Sequence, residues 1–401
     1  MVDDTLVEDG DDGPGTADPR LIDDAAFHEA FGEPIDRTLD LGTWNEGDDL
    51  DAAYERMRQQ VADAVRVEGD LREKAREHLL PRLRRREGMG VFQMPVDEVE
   101  KIHKGLLFTG QVEACDGTSI VHDTLPLTVS QVGVCIVTYA GRQNSWVRRT
   151  YRRDLRIEQP DPVEDVIEAL TRRERRSSDM QGRFDQLSAL GRRGIMTYGE
   201  RAILREKGGG RWYMGHGAGL PWELLTGSGS MRLLDRALGV LEWQWLEHKR
   251  SVYVPSSASR MLLTIGNALR PLEYALVDAA ELDARWVVDS GHYEASARRR
   301  VEEFVAEVGP HVVVGVFRAS RWAPAYAFHA HREYAHLAAR IAIADAALQE
   351  HRGFPVLIDL ADTVCRATFG GGAFLSVLEG AYADAGVPWM YLPERTTRRT
   401  R

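Results

Sequence analysis

The stretch LLFTGQVEACDGT, residues 106–118, decides how the rest of the chain is read. Leu106–Ala114 predicts a strand, and Asp116-Gly117-Thr118 predicts its end, because glycine lets the backbone turn sharply there. Downstream, Leu125–Tyr139 is rich in Val, Ile and Thr and predicts a second strand. Trp146–Ile157 alternates Arg with Val, Tyr and Leu and predicts a third. Short polar, Gly-bearing connections suit an antiparallel meander. A long helical region is expected from about Val163 to Lys207, then a short strand at Arg211–Met214, a Gly-rich loop and a helix at Met231–Lys249. Further strands are expected at Ser251–Val254, Arg285–Val288, Val312–Phe317 and Tyr326–His331, with helices at Glu294–Val308, Glu333–Glu350 and Phe374–Ala385. A meander followed by alternating helices and strands indicates an α/β or α+β sheet domain.

Upstream of this stretch the chain changes character twice. Residues 1–50 hold 16 acidic and 2 basic side chains, a local charge of −14. The whole chain carries 51 basic and 62 acidic residues, so residues 51–401 hold 49 and 46, a charge of +3. The net charge of −11 therefore belongs to an acidic N-terminal arm expected to be largely disordered, and the body is mildly basic. Residues 51–105 are expected to form a helical region, since Tyr54, Met57, Val61, Val65, Leu71 and Leu79 recur near period 3.6. Residues 106–393 form the main domain, and residues 394–401 a basic tail with four Arg.

Several function classes are excluded by what the sequence lacks. No GxxxxGK[ST] is present, so the chain has no ATPase P-loop of its own. No G-x-G-x-x-G sits between a strand and a helix, and no G-x-S-x-G occurs. The three cysteines match no zinc spacing and no disulfide framework, and they fit a reducing cytoplasm. No apolar run approaches a membrane span, and the start of the chain does not read as a secretion signal.

What remains is a dispersed set of carboxylates and histidines. Asp116 projects from the expected strand end, where a metal and a phosphate could both approach; the alternative is a turn aspartate capping its own loop. Glu200 lies among Met196, Ile203 and Leu204, so it points inward or, alternatively, pairs with a cation at the surface. His216 follows a short strand between two glycines. His329 and His331 share a face of one strand at period 2, and with His336 they offer either a metal pair or a buried aromatic strand. Asp359 and Asp362 sit in Pro355-Val-Leu-Ile-Asp-Leu-Ala-Asp362, and either could face a site. Arg148, Arg149, Arg152, Arg153 and Arg156 on the third strand could meet phosphates without reading bases, or form a solvated sheet face.

The order of these features resembles the NurA nucleases: Asp-Gly-Thr after a strand, a meander, a helix with Glu-Arg, a strand residue before Gly, and a C-terminal segment ending Ala-Asp. The resemblance covers roughly Leu106 to Arg401. It implies an RNase H-like mixed sheet with an antiparallel meander flanked by helices. It also implies a divalent metal site, Mn²⁺ or Mg²⁺, and two-metal hydrolysis of DNA. Asp116 matches the family's strand aspartate and Glu200 its helical glutamate. His216 stands where the family has Asp, and Asp362 where it has His. The two exchanges preserve the number of ligands, and Glu223 is the alternative ligand. The partners implied are DNA, a second copy of the chain in a homodimer, and a hexameric HerA-type ATPase. The role implied is DNA end processing or anti-phage defence. A catalytically inactive NurA-like subunit that binds DNA or docks the motor is the other reading.

Overall fold

The computed structural model describes residues 24–44, 50–83, 88–123, 128–152, 189–279, 281–291, 293 and 295–387. Two compact units divide the chain, residues 1–82 and 83–401. The expectations for the first twenty residues, for the segment between Val163 and residue 188, and for the tail at 394–401 lie outside the described residues.

The first unit is helical: α1 (Asp24–Phe31), α2 (Ile35–Leu39), α3 (Leu50–Lys74), a π-helical turn at Ala75–Leu79, and the start of α4 (Leu80–Leu83). Asp51 in the first turn of α3 and Arg72 and Lys74 in its last suit the helix dipole. The pairs Arg58–Glu55 and Arg72–Glu68 add local support. Tyr54, Met57, Val61, Val65 and Leu71 recur as expected, yet each is exposed.

The second unit opens with β1 (Gly90–Gln93) and α5 (Val96–Ile102), which continues as a π-helical turn at His103–Leu107. This corrects the expected strand at Leu106–Ala114. A short apolar run cannot be assigned by periodicity alone, and here its first half completes a helix. The meander follows as β2 (Val112–Asp123), β3 (Thr128–Val137) and β4 (Gln143–Arg152). Then come α6 (Ala189–Lys207), β5 (Trp212–His216), α7 (Trp222–Leu225), α8 (Met231–Glu242) with a π-helical extension at Trp243–His248, and β6 (Ser251–Val254). The chain goes on through α9 (Arg260–Asn267), β7 (Glu273–Ala279), α10 (Glu281–Ser290), α11 (Ala295–Val308), β8 (Val312–Arg318) and β9 (Tyr326–His331). It closes with α12 (Ala335–Ala346), α13 (Val356–Phe369) and α14 (Gly371–Asp384). Arg285–Val288, expected to be a strand, lies inside α10; the strand of that region is β7, one segment earlier.

Among the described residues all nine strands form one mixed sheet, in the order β1-β7-β8-β9-β6-β5-β2-β3-β4. The meander is antiparallel, and β5 and then β6 run parallel to β2. A meander continued by strands parallel to its first member is the RNase H-like mixed sheet. Strands β9, β8, β7 and β1 extend it antiparallel on the far side. Buried runs such as Ser251–Val254 and Val312–Phe317 mark strands covered on both faces.

Two helices sandwich the β2–β3 region. On one face Cys115, Val134 and Ile136 pack with Leu204 of α6 and Tyr213. On the other, Ala114 shares a core with Leu357, Ile358 and Ala361 of α13, and Cys135 meets Cys365 and Phe369. Side chains alternate along a strand, so odd residues of β2 face α6 and even ones face α13. Buried Asp345 fixes the start of α13: it accepts from the Leu357 amide at 2.8 Å and from the Tyr139 hydroxyl at 2.6 Å.

Candidate active site

Asp116 lies in the middle of β2, with seven more strand residues after it, and is not the turn residue the sequence suggested. What ends near it is the parallel ladder. The last paired residues of β2 and β5 are Cys115 and Gly215, whereas β2 stays paired with β3 as far as Asp123 and Thr128. Asp116 is therefore the first residue beyond the point where β5 departs. Its side chain is 7% exposed and faces α13.

Asp362 reaches it from α13. The two carboxyls face each other closely enough that Asp362 disfavours charge on Asp116. Burial first, then repulsion from Glu200 and from Asp362, hold the Asp116 carboxyl well above the ordinary carboxylate range. Asp362 is less enclosed and also accepts from Arg366 Nε at 2.7 Å, one turn along the same helix.

Glu200 comes from the opposite face. A Cβ placed on Gly117 would lie 2.6 Å from Glu200 Oε1 and 2.6 Å from Met196 Cγ. The missing side chain at residue 117 is thus the opening through which the α6 carboxylate reaches the strand. Glu200 is buried, as its apolar neighbours predicted, and not a surface ion-pair partner. Burial pushes its pKa up to about 7; Arg201 opposes this, Glu223 adds to it, and the Gly117 backbone opposes it again. Glu223, on α7, therefore stands close enough to repel Glu200.

His216 is the last residue of β5, one place beyond the final β2–β5 pair, and its ring is set edge-on to Phe354 at 6.0 Å. Glu200 thus draws Asp116 and Glu223 into one electrostatic cluster, and Asp116 adds Asp362. Arg148 and Arg149 are neighbours on β4 and so point to opposite faces; Arg149 Nε donates to Gln131 Oε1 at 2.6 Å. Arg152 ends β4, and Arg153 and Arg156 lie outside the described residues.

The three histidines at 329, 331 and 336 go separate ways. His329 packs beside the loop after β5, the His331 ring stacks on His311 at 5.6 Å, and His336 Nδ1 meets the Tyr274 hydroxyl at 2.9 Å. Burial drives His329 and His331 down to about 4, so both are neutral at physiological pH.

As donors, the four carboxylates supply only oxygen, the ligand type that hard divalent cations take. Their mutual repulsion marks negative charge that a cation would relieve. In chemistry the set fits Mn²⁺ or Mg²⁺. Among the described residues, however, no group of three or more His, Cys, Asp or Glu side chains is already gathered to hold an ion.

Sequence reasoning missed α13 as an element, the anchor at Asp345 and the burial of Arg201. The Pro355-led amphipathic run was the available signal for the helix. Nothing local announces the other two.

The fold and the buried carboxylates define an RNase H-like sheet domain with an acidic site. No family model matches the chain, and no curated protein matches it either. Among solved structures it is similar to the NurA nuclease from Sulfolobus solfataricus, with 9% identity, 84% of this chain and 99% of that one covered, and a TM-score of 0.46. A NurA structure with manganese is similar at 10% identity, with 77% and 94% covered and a TM-score of 0.39. Endonuclease V from Ciona intestinalis, in complex with a 24mer DNA containing inosine, follows at 13% identity, 78% and 98% covered, and a TM-score of 0.27. Likeness at this level carries no functional weight. No helix among the described residues is long and apolar enough to cross a membrane.

Proposed function

We propose that the chain is a metal-dependent DNA nuclease that hydrolyses phosphodiester bonds at Asp116, Glu200 and Asp362, with Glu223 and His216 completing the set. One observation carries this reading: a strand carboxylate and carboxylates of helices on opposite faces of the sheet act on one another electrostatically where the parallel ladder ends. Burying mutually repelling carboxylates lowers stability, and such arrangements concentrate at functional sites.

Divalent cations bound there, Mn²⁺ or Mg²⁺, would polarise the phosphate and lower the pKa of a water. The chain's own part is positional. Asp116 and Glu200 sit on core elements and offer oxygens fixed by β2 and α6. Gly117 keeps the path between them clear. Asp362 would offer a further oxygen opposite Asp116, and Arg366 holds that carboxylate from one turn along the helix. Arg148, Arg149, Arg152, Arg153 and Arg156 are the proposed contacts to the DNA backbone. In this reading a homodimer works in the cytoplasm with a separate HerA-type hexameric ATPase, in DNA end processing or anti-phage defence.

A second reading, a catalytically inactive NurA-like subunit that binds DNA or docks the motor, is favoured by the lack of a ready-made metal group among the described residues. Linear DNA incubated with Mn²⁺, with and without the ATPase, separates the two. The nuclease reading expects cleavage that disappears in Asp116→Asn and Glu200→Gln. Intact DNA under both conditions with the wild-type chain would leave the inactive subunit.

A further inference from the structure

Arg201 follows Glu200 on α6 and is 1% exposed. No carboxylate is ion-paired with it among the described residues. Its Nη2 donates to the Ala218 carbonyl at 2.5 Å, and its guanidinium lies 4.1 Å from the centroid of the Tyr253 ring. Its Nε and Nη1 are buried without a hydrogen-bond partner. A buried guanidinium with two of its three nitrogens unpartnered is costly, and an apolar side chain of similar volume would fill the space at lower cost. The charge and the fork are retained for something other than packing.

The loop it grips supplies the reason. Residues 217–219 join β5, which ends at His216, to Pro221 and α7, which carries Glu223. Three consecutive residues of this loop are pinned from three elements. The Gly217 amide donates to the Val254 carbonyl of β6 at 3.2 Å. The Gly219 carbonyl accepts from Trp245 Nε1 at 3.0 Å, and the Ala218 carbonyl accepts from Arg201. Of these pins only Arg201 comes from the helix that bears Glu200. His329 lies beside the loop, where a Cβ on Gly219 would be 2.8 Å from its own, but it is neutral and cannot take the role of the cation.

We infer that Arg201 is the positioning residue that locks the Gly217–Gly219 loop to α6 and so sets Glu223 and His216 relative to Glu200. Two like-charged carboxylates on separate elements drift apart unless their supports are tied together, and Arg201 is that tie. The inference concerns the arrangement of the nuclease site proposed above and rests on that reading for its metal readout. It does not rest on it for its structural readout.

The test uses the full chain as wild type, Arg201→Lys, Arg201→Met and Trp245→Phe. Amide hydrogen exchange across residues 217–220 is measured without metal, and Mn²⁺ binding is titrated by electron paramagnetic resonance. The expected result is exchange faster by about tenfold or more in both Arg201 variants. Mn²⁺ binding should weaken by about tenfold or more, the range typical for loss of a group that orients ligands. Trp245→Phe, which frees the next carbonyl but leaves the tie to α6, should speed loop exchange while Mn²⁺ binding stays within about threefold of wild type. Unchanged loop exchange in Arg201→Met would overturn the inference. So would tighter Mn²⁺ binding in Arg201→Met with wild-type behaviour in Arg201→Lys, which would assign charge alone to the residue. If neither Arg201 variant folds, Trp245→Phe decides: faster loop exchange with Mn²⁺ binding kept supports the tie through Arg201, and Mn²⁺ binding lost together with loop protection overturns it. If the wild type binds no Mn²⁺, the nuclease reading falls and loop exchange alone decides the positioning role.

Discussion

Gly117 and Glu200 approach so closely that a methyl group on residue 117 would sit 2.6 Å from the glutamate oxygen. The atoms in the way belong to the flexible side chains of Glu200 and Met196, so Gly117→Ala should fold. We expect its stability to change by no more than about 1 kcal/mol, because the strand gains propensity while Glu200 and Met196 shift. Mn²⁺-dependent cleavage should fall by about 10- to 100-fold as Glu200 leaves its place. Thermal unfolding beside a cleavage assay checks this. Equal losses in both would mean that Gly117 serves packing only.

The raised carboxyls make the metal-free protein sensitive to pH in a definite direction. Glu200 rises from 4.5 to about 7 on folding, so the native state holds its proton where the unfolded chain has lost it. The stability this gives is complete below about pH 4.5 and is lost as pH rises through 7. Glu200→Gln removes the effect. Without metal the variant should match the wild type near pH 4.5 and exceed it by roughly 3 kcal/mol at pH 8. Chemical denaturation at the two pH values measures the difference, and a gap that shrinks as pH rises would refute the assignment.

Asp345 accepts from two donors in a fully buried position, so shape and hydrogen bonding are separable there. Asp345→Ala leaves the Leu357 amide and the Tyr139 hydroxyl without their acceptor and should cost about 2–4 kcal/mol. Asp345→Asn keeps an acceptor for the Leu357 amide and can donate to the tyrosine oxygen, so it should cost less than half as much. Melting temperatures of the two variants decide between a specific anchor for α13 and simple filling of space.

The arginines of β4 should differ in their hold on DNA. Arg148 is exposed, whereas Arg149 is engaged by Gln131, whose amide in turn donates to the Phe369 carbonyl. Arg148→Ala should lower the slope of log affinity against log salt by about 0.9, the value for one phosphate contact. Arg149→Ala should lower it by less and should also reduce stability. Fluorescence anisotropy over a salt series tests the pair, and equal slopes for both variants would remove β4 from the DNA path.

How far the sequence reached can be judged from these residues. The second and third strands of the meander, α6, β6, β8 and β9 were legible because their periodicity and β-branched content are local properties. The π-helical turn at His103–Leu107 and the helix around Arg285–Val288 were not, since short apolar runs suit either state. Asp116 was found through its neighbour Gly117, but for the wrong local reason. Glycine there answers to a glutamate 83 positions later, across the sheet, and not to a turn. Arg201 could not be found at all: its burial depends on Tyr253 and Ala218, which only the fold brings to it.

The departure of β5 after Gly215 divides β2 mechanically. Up to Cys115 the strand is clamped from both sides; from Asp116 to Asp123 the described residues bond it on one side only. Its proximal part is hydrogen-bonded into the core of the sheet, while its distal part is hydrogen-bonded to the β3–β4 ribbon alone among the described residues. In that distal part, amides turned away from β3 should exchange with solvent faster than their neighbours, giving an alternating pattern along one strand. Asp116 stands at the joint between the stiff and the compliant halves.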